Sequence, residues 1–175
     1  TELRSSNGGP RADVGGGHNR NDQDMTALLT AEHLANIGRQ APVKREVVTR
    51  RDIRKYSVAT GQQLRKFLDG DEAPPLYHVA LFWDVVELDQ LTPDGVSIDT
   101  LIPPLPLERA MAGGLKIEYH RPIRPGDVLI ARRTLTNLYE KQGSKGPIIF
   151  YEVIMTVETE AGEPVLTEKT TRLLR

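Results

Sequence analysis

A carboxylate and an imidazole seven residues apart form the first group in this sequence that could carry out acid-base chemistry. Asp71 follows Gly70 in a polar segment, and His78 follows Pro74-Pro75 at the start of the most apolar stretch. An Asp and a His held close together can exchange protons with a bound molecule near neutral pH. The alternative is that Asp71 is an ordinary loop acid and that His78 caps or packs on a buried helix. The sequence alone leaves both interpretations open.

Arginine side chains concentrate near one predicted turn and could bind a ligand that carries phosphate. Arg121 and Arg124 flank this turn at Pro122. A guanidinium group binds phosphate through two parallel hydrogen bonds, which makes these residues candidates for a phosphate contact. Charged side chains on strands also serve simply to solvate an outer face. The pattern therefore does not separate a ligand site from an ordinary surface.

Aromatic and glycine residues supply the remaining candidates for ligand contact. Tyr56 and Trp83 could line an apolar pocket, although large aromatic side chains more often belong to a core. Gly114 could let the backbone approach a ligand closely, or could serve only a turn. The four histidines are scattered and cysteine is absent, so we expect neither a metal site nor a thiolate nucleophile.

The composition limits the class of protein. The chain has 175 residues, with 23 Lys and Arg against 24 Asp and Glu, and a formal net charge of −1. Nucleic-acid binding needs a surplus of basic charge, so we do not expect it. The sequence contains no run of 18 apolar residues, and the lack of cysteine is compatible with a reducing compartment. We therefore expect a cytoplasmic protein that does not span a membrane.

The first 24 residues differ in composition from the rest of the chain. Only Leu3, Ala12 and Val14 are apolar there, and five glycines loosen the backbone. Such a segment cannot bury enough apolar surface to offset the entropy lost on ordering. We expect residues 1–24 to be a disordered or vector-derived extension and residues 25–175 to form a single domain.

Hydrophobic periodicity places helices in the first half of the domain and strands in the second. Gly61 ends one predicted helix, which the capping pattern Thr49-Arg50-Arg51-Asp52 opens. A two-residue period after residue 114 predicts three or four long antiparallel strands. This order is typical of an α+β fold in which the sheet wraps over a buried helix. The other predicted elements are helices over residues 26–37 and 76–88, a strand over 43–48 and a loop over 89–113.

Several segments carry a resemblance to a known family. The segments RAMAGGLKIEYHRPIRPGDVL, NLYEKQGSKGPIIFYEV and AGEPVLTEKTTRLLR resemble the MaoC-type acyl dehydratases. Within that family they resemble the N-terminal, fatty-acid-synthase-type dehydratase domain. The segments TRRDIRKYSVATG and EAPPLYHVALFWDV resemble its first helix and its buried central helix. The similarity extends over residues 36–174.

The resemblance implies a hotdog fold, which is a curved antiparallel sheet around a central helix. It also implies that two such domains pair side by side, either as two subunits or as two halves of one chain. The expected partner is a second hydratase subunit that bears the dyad, another copy of this chain, or both. Members of the family hydrate or dehydrate (R)-3-hydroxyacyl thioesters of coenzyme A or acyl carrier protein. They need no metal or organic cofactor, so we expect none here. The expected ligand is acyl-CoA.

The family's catalytic motif is incomplete in this chain. Catalytic members carry the pattern Tyr-x-x-x-x-Gly-Asp-x-Asn-Pro-x-His, which supplies the Asp and His of a catalytic dyad. Tyr56 and Gly61 match its first part, but Gln62 stands where the Asp belongs. No Asn, Pro or His follows in register. An amide cannot act as a general base near neutral pH, so the usual dyad is missing.

These observations predict the acyl-thioester-binding subunit of a two-component (R)-specific enoyl-CoA hydratase or 3-hydroxyacyl-thioester dehydratase. Another acid and an imidazole of this same chain in hydrogen-bond reach of each other at the mouth of the pocket would contradict the prediction. One alternative is a self-sufficient homo-oligomeric hydratase in which Asp71 and His78 replace the dyad. Another is a non-enzymatic acyl-CoA-binding protein. For substrate binding, the candidates are the residues singled out above by their chemistry: Tyr56, Trp83, Gly114, Arg121 and Arg124.

Overall fold

The fold is described by a computed structural model that covers residues 27–91, 95 and 97–175. The expected extension over residues 1–24 lies outside these residues. Among these residues the chain forms four short α-helices, one 3₁₀ helix (Leu88–Gln90) and five strands, and the first strand lies between the first two α-helices. The helices are α1 (Ala31–Leu34), α2 (Arg50–Ala59), α3 (Arg65–Leu68) and α4 (Tyr77–Phe82), and the strands are β1 (Lys44–Val47), β2 (Ala110–Tyr119), β3 (Val128–Gly143), β4 (Gly146–Thr159) and β5 (Pro164–Leu174).

The five strands form one antiparallel sheet in the order β1-β3-β4-β5-β2. Strands β3, β4 and β5 follow one another through hairpins, while β1 and β2 occupy the two edges. The α+β class and the wrapped sheet expected from the sequence are confirmed. Strand β2 pairs with β5 along one of its edges, and its other edge is open at the end of the sheet. Most residues of β2 are exposed.

The main hydrophobic core lies between the helices and the concave side of the sheet. Ile53 of α2 and Tyr77 and Phe82 of α4 pack against buried residues of the strands. The strand residues in this cluster include Leu129, Ala131, Met155, Val157 and Leu166. Burial of these side chains is the largest favourable contribution to folding, at about 25 cal/mol per Å² of apolar area. The cluster also fixes α4, because two of its six residues are buried within it.

Local sequence signals set the bounds of α2. The Thr49 side chain accepts a hydrogen bond from the Asp52 amide at 3.1 Å, as an N-cap residue does. Beyond the helix, Gly61 adopts φ +68°, a left-handed conformation that glycine tolerates and that ends a helix. The predicted helix is therefore confirmed, with Ile53 and Ser57 on its buried face.

Two predicted helices are shorter in the structure. The predicted helix 26–37 is one turn, Ala31–Leu34, and the predicted helix 76–88 ends at Phe82. Trp83 has extended backbone, and the ammonium of Lys44 donates a hydrogen bond of 2.8 Å to the Phe82 carbonyl. This contact satisfies a carbonyl that a further helical turn would have used.

Irregular chain takes the place of the missing helical turns. Leu101 packs against Leu135 and Val153 in a second core cluster. Leu105 and Leu107 pack on a third cluster around Leu138, Ile149 and Leu174. The predicted loop 89–113 therefore covers the sheet from residue 97 to residue 107, whereas residues from Ala110 onward belong to β2. Within the described part of the chain, no helix combines the length and apolar character needed to cross a bilayer.

Candidate functional site

A pocket of about 390 Å³ lies where the connection from α3 to α4 meets the end of β2. Apolar residues form much of its wall, and two histidines and a tyrosine border it. Concave sites of this kind, mostly apolar with a few polar groups, are where small molecules usually bind. The wall includes Phe67, Pro74, His78, Tyr119, His120 and Ile123.

His78 is the most buried polar side chain on the pocket wall. Its exposed fraction is 0%, because α4 presents it toward the sheet beside the main core. Its Nε2 atom lies 2.8 Å from the Oε2 atom of Glu168 on β5. The Nδ1 atom is buried and has no hydrogen-bond partner among the described residues. An acid and an imidazole of this chain are therefore in hydrogen-bond contact, with the imidazole buried rather than at the mouth of the pocket.

Glu168 is held as a carboxylate by two donors. His78 contacts its Oε2 atom, and the Thr170 hydroxyl donates to its Oε1 atom at 2.8 Å. Burial raises the pKa of the Glu168 carboxyl, but the hydrogen bonds from His78 and Thr170 outweigh this effect, and its pKa is lowered overall. An ionised carboxylate is only an acceptor, so the Nε2 atom of His78 carries the proton.

The sequence interpretation did not identify Glu168 as a site residue. A signal was present, because Glu168 and Thr170 occupy the same strand face as the buried residues Leu166 and Leu174. A carboxylate at an inward-facing strand position requires a partner in the interior. His78 is that partner, and the pair joins α4 to β5.

The entrance to α4 is strained and is fixed by a pocket residue. Leu76 adopts φ +66° and ψ 1°, the left-handed region that is unfavourable for residues with a side chain. Its backbone N–H donates a 3.0 Å hydrogen bond to the hydroxyl of Tyr119. The Tyr119 ring also lies edge-on to the His78 ring, with centroids 6.2 Å apart. Tyr119 therefore contacts both the first residue of the helix entrance and the buried imidazole.

Asp71, the predicted partner of His78, binds a different residue. It forms an ion pair with Arg50 of α2, and its side chain is 59% exposed. No hydrogen bond joins Asp71 to His78 within the residues that the structure describes. Gln62, which replaces the Asp of the family motif, lies just after α2 and donates to the Thr60 hydroxyl at 3.3 Å.

The arginine candidates differ in how available they are to a ligand. Arg121 donates to both carboxylate oxygens of Asp127, at 2.9 and 3.1 Å, and its Nε atom lies 3.0 Å from Glu163 outside hydrogen-bond geometry. Asp127 also accepts a hydrogen bond from the backbone N–H of Arg124. Arg121 borders the pocket but is engaged by these acids, whereas Arg124 has an exposed side chain.

The aromatic and glycine candidates are not among the residues that line the pocket. Tyr56 packs edge-on against Tyr77 at 5.6 Å, next to the main core. Trp83 follows the end of α4 and is 57% exposed. Gly114 lies on β2 with open space beside it, while a Cβ atom at Gly113 would meet the Thr171 carbonyl at 3.1 Å. Of the two neighbouring glycines, it is thus Gly113 whose backbone comes close to the backbone of β5.

His120 and the acids of this region form no metal centre in the described residues. No group of three or more His, Asp or Glu side chains converges there in a way that could hold a metal ion. His120 lies 3.3 Å from the Thr167 hydroxyl through its Nε2 atom. This contact agrees with a structural role at the end of β2.

Comparison with known proteins identifies the family. Residues 35–168 match the family described as FAS1-like, dehydratase domain region. The mesaconyl-C(4)-CoA hydratase of Chloroflexus aurantiacus is 29% identical over 127 residues, which is 72% of this chain and 45% of that protein. The chain therefore spans less than half the length of the curated relative that it matches.

Solved structures share the fold at low sequence identity. A MaoC-like dehydratase from Phytophthora capsici superposes with a TM-score of 0.58 and 22% identity, covering 84% of this chain and 49% of that one. The ChsH1-ChsH2 complex from Mycobacterium tuberculosis gives a TM-score of 0.56 and 16% identity, covering 77% and 83%. These likenesses show the hotdog fold. With its sheet, its central helix and the match over most of its length, the chain belongs to the FAS1-like dehydratase region family of MaoC-type hotdog proteins.

Proposed function

We propose that this chain is the acyl-thioester-binding subunit, or half, of a two-component (R)-specific enoyl-CoA hydratase or 3-hydroxyacyl-thioester dehydratase. A second hotdog domain of the same family would supply the Asp-His dyad. The observation that carries the proposal is the pocket of about 390 Å³ in a chain whose motif has Gln62 at the position of the catalytic Asp. The reaction as proposed requires no metal or organic cofactor.

The charged groups at the pocket support a binding role. Glu72 is the one carboxylate among the described residues of the wall, and the Lys66 ammonium lies 2.6 Å from it. Asp71 is paired with Arg50. Addition of water to an enoyl thioester needs one group that removes a proton from water and another that delivers one to the α-carbon. Among the described residues of the wall, the carboxylate that could take the second role is thus held by Lys66.

The exposed edge of the sheet supports a paired assembly. Ile117 of β2 packs on the main core, and Leu115 and Tyr119 lie on the same strand face two residues to either side. Both are exposed, with 54% and 44% of their surface accessible. A strand with an open edge and an uncovered apolar face is suited to pairing with another domain. The similar ChsH1-ChsH2 structure is a complex of two different chains.

A second candidate function rests on the contact between His78 and Glu168. A buried imidazole oriented by a carboxylate resembles the arrangement that activates general bases, so a self-sufficient homo-oligomeric hydratase remains a candidate. Glu168 would take the place of Asp71 in that version. The Nδ1 atom of His78 is the one atom of this pair that no described residue holds, however, and it has no accessible surface. We therefore keep the two-component enzyme as the main proposal and expect it in the cytoplasm.

Hydration of crotonyl-CoA distinguishes the candidates. The purified chain is assayed alone and after mixing with a MaoC-type subunit that carries the intact Asp-His motif. We expect no turnover alone and, after mixing, turnover above that of the motif-bearing subunit by itself. Turnover by the chain alone would establish the self-sufficient enzyme. Binding of the thioester without turnover in any mixture would leave a non-enzymatic acyl-CoA-binding protein.

A further inference from the structure

We propose that the pocket binds an uncharged acyl chain at its apolar inner end, and that the ring of Phe67 sets the length of chain that fits. The inference rests on the proposed function and names the class of acyl group that the pocket takes. Phe67 acts through its volume in the pocket wall and takes no part in the chemistry.

The lining of the pocket changes from exposed and polar at its rim to buried and apolar at its inner end. Lys66 and His120 are exposed on the rim. Phe67 and Ile123 are buried, with 7% and 5% of their surface accessible. His78 has no accessible surface, so it presents no polar atom there. An apolar chain therefore gains most by pointing inward, with its thioester left near the rim.

The charged groups of the wall favour an acyl chain that carries no charge. The Lys66 ammonium lies 2.6 Å from the Glu72 carboxylate, and the Arg121 guanidinium donates to both carboxylate oxygens of Asp127. These cations are thus already paired with acids of the chain. A carboxylate carried to the apolar inner end would lose its hydration without gaining an ion pair, which is costly.

Helix α3, which carries Phe67, is held close against α2. The Arg50 guanidinium donates a 2.9 Å hydrogen bond to the Asp69 carbonyl. Gly70 follows with φ +75°, and a Cβ atom there would lie 2.8 Å from the Arg50 carbonyl oxygen. The two segments therefore approach as closely as a glycine allows. Phe67 is thus a fixed part of the pocket wall.

Phe67 differs from the other buried aromatic residues in its surroundings. Tyr77 and Phe82 belong to the main core, whereas Phe67 is in none of the three core clusters. Its ring lies in the pocket wall, with the Lys66 ammonium 4.8 Å from the ring centroid. The volume of the ring is therefore taken directly from the space left for a ligand, and a smaller side chain should lengthen the pocket.

Calorimetric titration of the full chain with saturated acyl-CoAs tests the length limit. The probes are butyryl-, hexanoyl-, octanoyl- and decanoyl-CoA. Each methylene that enters the pocket should tighten Kd by about fourfold, so the wild-type affinity should rise along the series. A volume of about 390 Å³ lies near the lower end of the range for ligand pockets, so the rise should stop before decanoyl-CoA. Adipyl-CoA, which matches hexanoyl-CoA in length but ends in a carboxylate, should bind at least about tenfold more weakly than hexanoyl-CoA.

Two variants should move the limit in opposite directions. Phe67→Leu should bind the first chain beyond the wild-type limit about fourfold more tightly than the wild type does, because it gains room for about one methylene. Ala73 also lines the pocket and precedes a proline, where Val suits the extended backbone. Ala73→Val should therefore bind the longest chain that the wild type accommodates about fourfold more weakly. Phe82→Leu is the matched control, since Phe82 has the same 7% exposure but does not line the pocket.

The outcomes separate this inference from the proposed function. A wild-type affinity that rises through decanoyl-CoA, or that is the same for every chain length, overturns the length limit and leaves thioester binding intact. Equal binding of adipyl-CoA and hexanoyl-CoA overturns the preference for an uncharged chain. The same shift of the limit in Phe67→Leu and Phe82→Leu overturns the role of Phe67. Failure of the wild type to bind any of these thioesters overturns the proposed function as well.

Discussion

The Nε2 atom of His78 lies 2.8 Å from the Oε2 atom of Glu168, and this contact joins helix α4 to strand β5 across 90 positions of sequence. It lies at the centre of the fold, where the helix would otherwise meet the sheet through apolar side chains. A hydrogen bond to a charged group is stronger than one between neutral groups, and it also fixes direction. The helix therefore has a defined rotation over the sheet at the pocket.

The charge of Glu168 is expected to make the stability of the protein depend on pH. Its pKa is lowered in the folded state, so its stabilising effect is complete above its ordinary pKa and is lost as the pH falls through the lowered value. The difference in unfolding free energy between wild type and Glu168→Gln should be present at pH 7 and should shrink between about pH 5 and pH 3. Urea unfolding across this range measures it, and a difference that stays constant down to pH 3 would contradict the assignment.

The contact between Arg121 and Asp127 is expected to stabilise the turn that borders the pocket. Asp127→Ala removes two hydrogen bonds from the guanidinium and one from the Arg124 amide, with both side chains mostly buried. We expect a loss of about 2 kcal/mol in unfolding free energy. Glu158→Ala, which breaks an exposed ion pair with Arg132, should cost less than about 0.5 kcal/mol. Similar losses in the two variants would refute the distinction.

Leu76 is expected to tolerate glycine unusually well. Its φ of +66° costs a residue with a side chain about 1–2 kcal/mol, and glycine removes this cost while losing more entropy on folding. Leu76→Gly should therefore keep the unfolding free energy within about 0.5 kcal/mol of the wild type. Val79→Gly, at a helical position of similar exposure, should lose about 1 kcal/mol. Thermal unfolding of the two variants provides the test, and equal losses would show that Leu76 is unstrained.

The exposed face of β2 is expected to matter for assembly but not for folding. Leu115→Glu places a charge on this face, where the proposed second domain packs. We expect size-exclusion chromatography to show that the variant no longer associates with the proposed second domain. Its unfolding free energy should change by less than about 0.5 kcal/mol. Val58→Glu, at an exposed position of α2, is the control. Association of Leu115→Glu equal to that of the wild type would argue against this interface.

Signals confined to a few neighbouring residues were sufficient to predict some elements. Helix α2 has its cap at Thr49 and its stop at Gly61, and both act within one turn of the helix end. The hairpin strands showed a two-residue period because their inner and outer faces alternate. In these cases neighbouring residues decide which local structure has the lower energy, so the sequence of the segment is enough to predict it.

Contacts between distant residues decided the features that the sequence did not predict. Helix α4 ends at Phe82 because Lys44 binds its carbonyl and Leu101 covers the next part of the sheet. Asp71 pairs with Arg50, and His78 pairs with Glu168, both across separations that spacing rules do not describe. The register of β5 against its neighbours brings Glu168 under the helix, and register is a property of the whole sheet.

The shortness of α4 also determines where the molecule opens first. Six helical residues extend about 9 Å, whereas the 14 residues of β4 extend more than about 40 Å. The remainder is covered by residues 97–107, whose backbone forms no repeating ladder and is anchored at Asp99 by Arg133 and by the Leu101 amide. Local opening of the irregular segment around Leu101 breaks fewer contacts than opening of α4. The amide protons of β3 and β4 that Leu101 covers should thus exchange with deuterium sooner than the amide protons of the sheet that lie under His78.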